Sequence, residues 1–213
     1  KGEGRTVLFV SHNMAAIQNL CNNSILLEKG RIISNGKTNN VLEHYQLSYK
    51  QNGNNLINLN REGNGRCRII SIELKSKSDN KSKNSFFLGE SISIELKIKK
   101  FYNKKLEDLR IIIGVYNVFD EGYLRFDTKV LNSNFSIVND ETIISCEILE
   151  NLNIKPDRYY INIAIFEKEE LLDYAVNALS FQIENADYHE TGRIIENIEL
   201  AKINYKHKWT NQP

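Results

Sequence analysis

The chain has 213 residues, with 28 Lys and Arg against 27 Asp and Glu, which gives a formal net charge of +1. Both signs are spread along the sequence, whereas nucleic-acid binders concentrate basic residues on one face, so we do not expect nucleic acid as a partner. The sequence shows no signal peptide and no apolar stretch approaching the roughly 20 residues that cross a bilayer. These properties predict a soluble, cytosolic chain that is able to dock onto a membrane partner.

The cysteines argue against a disulfide framework and against a metal site. Cys21, Cys67 and Cys146 lie far apart, are odd in number and match no metal-ligand spacing. This pattern indicates a reducing compartment, and we expect no bound metal. The first residue is Lys1 and the only methionine is Met14, so we expect the chain to begin inside a longer gene product.

Residues 1–49 have the pattern of an α/β segment, because short apolar strands alternate with amphipathic helices. The predicted elements are a buried strand over Thr6–Val10, a helix over Met14–Cys21, strands over Ile25–Leu27 and Arg31–Ser34, and a helix over Thr38–Tyr49. Residues 50–65 are rich in Asn and Gly and low in apolar side chains, a composition typical of a linker.

From residue 66 to residue 213 the apolar period changes to two, the pattern of half-buried β-strands. Ile70, Ile72 and Leu74 share one predicted face. Further strands are predicted over Ile92–Ile98, Leu109–Val118, Glu141–Leu149, Arg158–Glu167 and Tyr174–Ile183, the last broken near Asn177. This succession without intervening helices predicts a mainly β chain with an antiparallel β-sandwich of immunoglobulin or jelly-roll type; a closed barrel is the alternative.

The first segment carries a succession of motifs with a family resemblance. Gly4–Met14 (GRTVLFVSHNM), then Ile25–Ile32 (ILLEKGRI), then Gly36 resemble the end of an ABC transporter nucleotide-binding domain. The resemblance implies that His12 is the switch histidine, a catalytic residue that contacts the nucleotide γ-phosphate. The chain contains no G-x-x-x-x-G-K-[ST] loop and no family signature motif, so we expect no ATP hydrolysis by this chain alone. ATP and Mg²⁺ are expected only in the intact parent protein.

Three later blocks resemble the C-terminal domain of the Wzt family, which exports lipid-linked O-antigen and similar bacterial polysaccharides. The blocks are Ile112–Asn117 with Gly122 and Arg125–Thr128, then Ile154–Ile165, then Asp173–Ile183. The resemblance implies a carbohydrate-binding domain over residues 66–213 of a transporter ATP-binding subunit. It also implies a transmembrane permease as partner, a location at the inner face of the cell membrane, and a homodimer. A further strand predicted around Ile198 and Leu200 would be exchanged between the two copies.

Candidate sugar contacts follow from the chemistry of glycans, which offer hydroxyl groups and weakly apolar C–H faces. Aromatic rings suit the faces, and Asn, Asp and Arg side chains suit the hydroxyls. Strand parity places Tyr116 and Asn117 on opposite faces unless a bulge intervenes. A structural role is the alternative, since aromatic side chains of a sandwich more often pack in the core. The carbohydrate-binding candidates are Tyr116, Asn117, Tyr123, Arg125, Asp127, Tyr160 and Asn162.

The acidic run Glu167, Glu169, Glu170 and Asp173 raises the question of catalysis. Paired carboxylates hydrolyse glycosides, but a run of this kind between two strands fits more simply as a charged hairpin turn. We therefore predict a non-catalytic chain whose sandwich binds the exported glycan and couples its recognition to transport. The alternative is a domain that only dimerises the exporter ATPase or docks it to another protein. A free-standing adhesin-like domain is a third hypothesis, which the ATPase motifs argue against.

Overall fold

The computed structural model of the chain describes residues 7–10, 17, 20–28, 30–50, 56, 61–133, 135–196 and 201–210. The chain divides into two compact units, one made mainly of Lys1–Gln51 and the other of Asn52–Asn117 with Gly122–Pro213. His12, the predicted switch histidine, lies outside the described residues, as do most of the helix predicted over Met14–Cys21 and the strand predicted around Ile198 and Leu200.

The first unit contains an antiparallel hairpin followed by a helix, as the sequence predicts. Strand β1 (Asn23–Glu28) pairs with β2 (Arg31–Lys37), and helix α1 (Thr38–Lys50) packs against both strands. Thr38, the first residue of the helix, joins it to the residues before β1, because its hydroxyl donates a hydrogen bond to the Cys21 carbonyl at 2.7 Å.

The strand predicted over Thr6–Val10 is not formed by its described part. Residues 7–10 have no regular structure, and Val7, Leu8 and Val10 are more than four-fifths exposed. A strand that is apolar on both faces is stable only between neighbouring strands and covering layers. The described residues provide no such neighbours, so the predicted strand is wrong for residues 7–10.

The second unit is a β-sandwich of a six-stranded and a three-stranded sheet. The larger sheet has the order β4-β11-β10-β6-β7, with β8 also paired to β6, and the smaller sheet has the order β3-β5-β9. Two separate sheets confirm the predicted sandwich and exclude the closed barrel. The strands are β3 (Cys67–Ser76), β4 (Ser85–Phe87), β5 (Ile92–Lys100), β6 (Leu106–Asn117), β7 (Gly122–Asp127), β8 (Phe135–Ile137), β9 (Glu141–Glu147), β10 (Arg158–Glu167) and β11 (Glu170–Glu184).

One apolar core lies between the two sheets. Every second side chain of β5 and β10 is buried in it, so the intervening side chains lie on the two outer surfaces. This alternation is the reason why the polar positions of β10 become available for a site on the outside. The inward residues of these two strands are Ile92, Ile94, Leu96 and Ile98 of β5, and Tyr159, Ile161, Ile163 and Ile165 of β10.

Strand β3 departs from the predicted alternation. Its register with β5 shifts between Ile69 and Ser71, and Ile69 is buried together with Ile72 and Leu74. Ile70, which the sequence pattern places on the face of Ile72 and Leu74, is only half-buried. A bulge adds one residue to a strand and reverses the parity on one side of it, so the prediction for Ile70 is wrong.

Two three-residue strands, β4 and β8, were not predicted, because three residues are too few to display a period. Strand β4 also runs parallel to β11, whereas the other described pairings are antiparallel. The interruption of β11 near Asn177 is confirmed: this residue has a φ of +50°, and the register with β10 jumps there.

A short segment before β3 lies along β11. Glu62 forms an antiparallel bridge with Tyr174, and the backbone N–H of Gly65 donates to the Leu172 carbonyl at 2.9 Å. Gly63 lies between them with a φ of +107°, and a Cβ at this position would fall 2.5 Å from the Leu172 oxygen. Glycine permits both the conformation and the close approach. Residues 62–65, at the C-terminal end of the predicted linker, are therefore hydrogen-bonded to β11 of the six-stranded sheet.

The described C-terminal residues 201–210 have no regular strand, although Ile203 forms a single bridge with Ile154. Tyr205 and Trp209 are 69% and 89% exposed. None of the helices in the described part of the chain is long and apolar enough to cross a membrane.

Candidate functional site

The outer face of the six-stranded sheet, meaning the face turned away from the three-stranded sheet, carries most of the predicted site residues. In one row across the strands, Gly114 of β6 pairs with Arg125 of β7 and with Asn162 of β10. In the next row, Tyr116 pairs with Tyr160. Strand register thus brings together residues that are far apart in the sequence. The predicted residues on this face are Tyr116, Arg125, Asp127, Tyr160 and Asn162.

The Tyr116 ring lies against the sheet, directly over Gly114. A Cβ at position 114 would fall 2.6 Å from the ring Cε2 and 3.0 Å from the hydroxyl oxygen. The ring therefore occupies the space that any side chain at position 114 would need. Tyr116 is half-buried, so part of the ring remains accessible between Arg125 and Asn162.

Asp127 is the centre of a charged network at one side of this ring. Its Oδ1 accepts hydrogen bonds from Arg110 Nε at 2.9 Å and from the Lys129 backbone N–H at 3.1 Å. Its Oδ2 accepts from terminal nitrogens of Arg110 at 2.6 Å and of Arg125 at 2.9 Å. The hydrogen bonds from the Arg110 guanidinium hold the pKa of Asp127 well below its usual range, so the carboxylate stays ionised. Because both oxygens are fully engaged, Asp127 positions its neighbours and offers no free acceptor to a sugar.

Arg125 is the accessible member of this network. Its side chain is 62% exposed, whereas that of Asp127 is 4% exposed. Among the described residues, Asp127 is the only hydrogen-bonding partner of the Arg125 guanidinium, and it engages one terminal nitrogen. A guanidinium has five N–H donors, so Arg125 keeps donors for a ligand.

Asn162 borders the other side of the Tyr116 ring. Its Oδ1 accepts the backbone N–H of Asn177 at 2.7 Å, at the point where β11 places three residues opposite one of β10. This bond fixes the side chain and leaves its amide N–H groups without a protein partner in the described part of the chain. Tyr160, the pair partner of Tyr116 on β10, is 6% exposed and offers little surface of its own.

Two predicted residues, Asn117 and Tyr123, lie away from this face. Asn117 pairs with the inward residue Tyr159 and is 2% exposed. The register of β6 with β7 shifts between Val115 and Tyr116, and this bulge turns Tyr123 toward the core. The Tyr123 and Tyr159 rings meet edge to face, with centroids 5.2 Å apart. Tyr116 and Asn117 thus lie on opposite faces, as strand parity predicts, and the extra residue of the bulge is Tyr123 of β7.

Gly114 and Arg110 complete the outer face and were not among the predicted site residues. A glycine inside an apolar strand is a signal of close approach by another group, and at Gly114 that group is the Tyr116 ring. Arg110 carries no such signal, because its contact with Asp127 depends on the pairing of β6 with β7.

The acidic run after β10 has a structural role. Asp173 is fully buried between the sheets, where it pairs with Arg61 at 3.1 Å and with Arg68 at 3.0 Å and accepts the Ile69 backbone N–H at 2.9 Å. Burial raises the pKa of Asp173 even though both arginines oppose this shift.

The rest of the run lies at the hairpin that connects β10 to β11, as predicted. Glu167 and Glu170 both form ion pairs with Arg66. In the part of the chain that the structure describes, no group of three or more His, Cys, Asp or Glu side chains is placed to hold a metal ion.

An apolar cavity of about 410 Å³ opens beside β7 and β9, the edge strands of the two sheets. Val130 and Leu131, which contribute to its lining, are 78% and 75% exposed. Arg125 and Asp127 also line it, so the cavity adjoins the outer face. Its remaining apolar walls include Ile113, Phe126, Phe135 and Ile144.

Among solved structures, the C-terminal domain of Wzt matches this chain with a TM-score of 0.58 and 11% sequence identity, over 77% of this chain and 95% of that chain. At this identity the likeness shows a shared fold. A glycoside hydrolase family 2 β-glucuronidase matches with a TM-score of 0.36 and 11% identity, over 49% of this chain and 10% of that chain. An immunoglobulin-like protein from Pseudomonas aeruginosa matches with a TM-score of 0.30 and 15% identity, over 55% and 96%. Because their TM-scores are below 0.5, we draw no conclusion about this chain from the last two matches.

Among curated proteins, no sequence matches this chain. The family described as the Wzt C-terminal domain matches residues 58–195, more than half of the chain. The matched range contains both sheets of the sandwich and the whole outer face described above. The chain therefore belongs to the Wzt C-terminal domain family and carries the C-terminal domain of a Wzt-type transporter subunit.

Proposed function

We propose that the sandwich binds the polysaccharide that the transporter exports, an O-antigen-like glycan, through the outer face of its six-stranded sheet. The observation that carries this proposal is the Tyr116 ring held over Gly114, with Arg125 on one side and Asn162 on the other. A sugar presents a C–H face that stacks on an aromatic ring, and its hydroxyls accept hydrogen bonds from guanidinium and amide N–H groups.

The geometry predicts weak binding of a single sugar. Tyr116 is one half-buried ring on an open sheet, and the polar groups beside it are hydrated before a ligand arrives. Replacing those waters yields little net free energy, so affinity for a monosaccharide stays low. Two such faces linked in a dimeric transporter would bind a long polymer far more tightly than one face does.

The test is binding of bacterial polysaccharides to the full 213-residue chain, compared with its Tyr116→Ala variant. Phe101→Ala is the matched control, because Phe101 is also an accessible aromatic, 58% exposed, but lies outside the outer face. We expect selective binding that Tyr116→Ala abolishes and Phe101→Ala leaves unchanged. Equal binding by all three proteins would show that the glycan does not bind to the outer face.

In the parent transporter, residues 1–49 would be the end of the nucleotide-binding domain. His12 would be the switch histidine of a nucleotide site that other parts of that protein complete. ATP and Mg²⁺ would bind there, and a transmembrane permease would hold the subunit at the inner face of the cell membrane. Glycan recognition by the sandwich would then be coupled to transport. The hairpin of β1 and β2 followed by α1 supports this assignment, because it has the order of elements that the motifs imply.

A second candidate function, dimerisation, rests on the C-terminal segment. Tyr205 and Trp209 are exposed and alternate with Lys206 and Lys208, the pattern of a strand with one apolar face. Such a strand would bury its apolar face on a second copy of the chain. Sedimentation of the full chain and of a Tyr205→Ala, Trp209→Ala variant tests this: a dimer that the variant disrupts supports it, and a monomeric wild type contradicts it.

A further inference from the structure

The charged groups on the outer face are unbalanced. Arg110 and Arg125 both pair with the carboxylate of Asp127, so the three side chains carry a formal net charge of +1. Glu169, which also interacts electrostatically with Arg110, forms an ion pair with Lys129 at 3.6 Å, so this second pair adds no net charge. The other positions in the paired rows around the Tyr116 ring are uncharged. They are Ile112, Gly114, Tyr116, Tyr160, Asn162 and Ala164.

The excess positive charge is located beside the ring. Arg125 is the pair partner of Gly114, over which the Tyr116 ring lies with its hydroxyl end. A ligand stacked on the ring therefore meets Arg125 at its edge. Asp127 holds one terminal nitrogen of Arg125 at 2.9 Å, which restrains the guanidinium without occupying its other donors.

A guanidinium group is more than a neutral glycan requires, since amide and hydroxyl groups are sufficient donors for sugar hydroxyls. Its planar fork matches the two oxygens of a carboxylate or a phosphate and forms charge-assisted hydrogen bonds with them. We propose that the glycan recognised on the outer face is acidic, and that its carboxylate or phosphate group pairs with Arg125 while a neighbouring sugar stacks on Tyr116. This inference rests on the proposed function, because it specifies the ligand class of the same face.

The experiment measures binding of the full chain to three polymers: a polyuronate, the same polymer with its carboxyl groups reduced to alcohols, and a phosphodiester-linked glycan. The variants are Arg125→Gln and Arg125→Lys. Lys97→Gln is the matched control, because it removes an equal charge from a residue that is 42% exposed on the three-stranded sheet. We expect Arg125→Gln to weaken binding of an acidic polymer about tenfold, the equivalent of one charge-assisted hydrogen bond.

Several outcomes support the inference. Carboxyl reduction should weaken binding to wild type as much as Arg125→Gln weakens binding of the polyuronate, and Lys97→Gln should have no effect. Arg125→Lys should fall between wild type and Arg125→Gln, because it keeps the charge and loses the planar fork. The polymer whose binding depends on Arg125 identifies the anion as carboxylate or phosphate.

Other outcomes overturn it. One such outcome is that a neutral polymer binds as tightly as both acidic polymers, or more tightly, in a way that depends on Tyr116. That result would support the proposed function but contradict an acidic ligand. Equal losses in Arg125→Gln and Lys97→Gln would show general charge attraction in place of a specific pair. If no polymer binds in any arm, the proposed function fails and this inference fails with it.

Discussion

The Arg61 guanidinium and the Asp173 carboxylate form an ion pair, 3.1 Å apart, whose side chains are 2% and 0% exposed. Arg61 also donates to the Ile69 carbonyl at 2.9 Å, so the pair joins the segment before β3 to β11 across the interior. Charges removed from water in this way are tolerated only while each has its partner, because an isolated buried charge is strongly destabilising.

We expect Asp173→Ala to lower the free energy of unfolding by about 3–5 kcal/mol, since it leaves Arg61 buried without its counter-charge. Urea unfolding followed by circular dichroism measures the change. Glu170→Gln is the matched control, because Glu170 pairs with Arg66 at the surface and its side chain is 61% exposed. That variant should lose at most about 1 kcal/mol. Equal losses in the two variants would contradict a special role for the buried pair.

Gly114→Ala should displace the Tyr116 ring, because the new methyl group would fall 2.6 Å from the ring Cε2. The ring is the far end of a side chain and can swing aside, so we expect a loss of only about 1 kcal/mol in stability. Glycan binding should fall as far as in Tyr116→Ala. Gly122→Ala is the control, since its Cβ would meet the ring at an ordinary 3.6 Å. Unchanged binding by Gly114→Ala would show that the ring position is unimportant.

Asp127 should make stability sensitive to acid. Its pKa is lowered in the folded chain, so the stability it contributes is present above the pKa of the unfolded chain, about 3.9, and is lost as pH falls below that value. At pH 7, Asp127→Asn should cost about 2 kcal/mol through the weakened bonds to Arg110 and Arg125. The difference between wild type and variant should shrink steadily below about pH 4. Urea unfolding at several pH values measures it, and a constant difference would contradict the assignment.

The bond between Asn162 and Asn177 should hold the interruption of β11 in place. Asn162→Ala should cost about 1 kcal/mol and speed hydrogen exchange at the Asn177 amide, which donates to Asn162 at 2.7 Å. Asn177→Gly should be tolerated, because glycine adopts a φ of +50° freely. Asn177→Val should be more destabilising than Asn162→Ala, because β-branched residues resist that conformation. Retention of slow exchange in Asn162→Ala would argue against the bond.

Period-two patterning predicted the sandwich well where strands are long and buried on one side. Strand β10 has the predicted bounds Arg158–Glu167, and β11 is interrupted near Asn177 as its sequence suggests. The bulges of β3 and β7 could not be predicted, because the position of the extra residue depends on pairing with the neighbouring strand. Ile70 leaves its predicted face for this reason, and the bulge at Tyr123 turns that ring toward the core.

The outer face was only partly predictable. Aromatic and polar residues on β6, β7 and β10 indicated a sugar-binding surface, but their roles depend on contacts between strands. Asp127 was a candidate ligand contact, yet Arg110 and Arg125 occupy its oxygens. Tyr116 owes its position to Gly114, and a pattern of apolar residues carries no information about where a ring will lie.

The attachment of residues 62–65 to β11 also has a mechanical consequence. Three backbone hydrogen bonds join this segment to β11, although the next strand along the chain, β3, belongs to the other sheet. Tension that reaches this segment along the backbone would therefore load β11 before it passed along the backbone to β3. Because β11 is hydrogen-bonded to β10 along most of its length, the load would pass next to the strand that carries Tyr160 and Asn162.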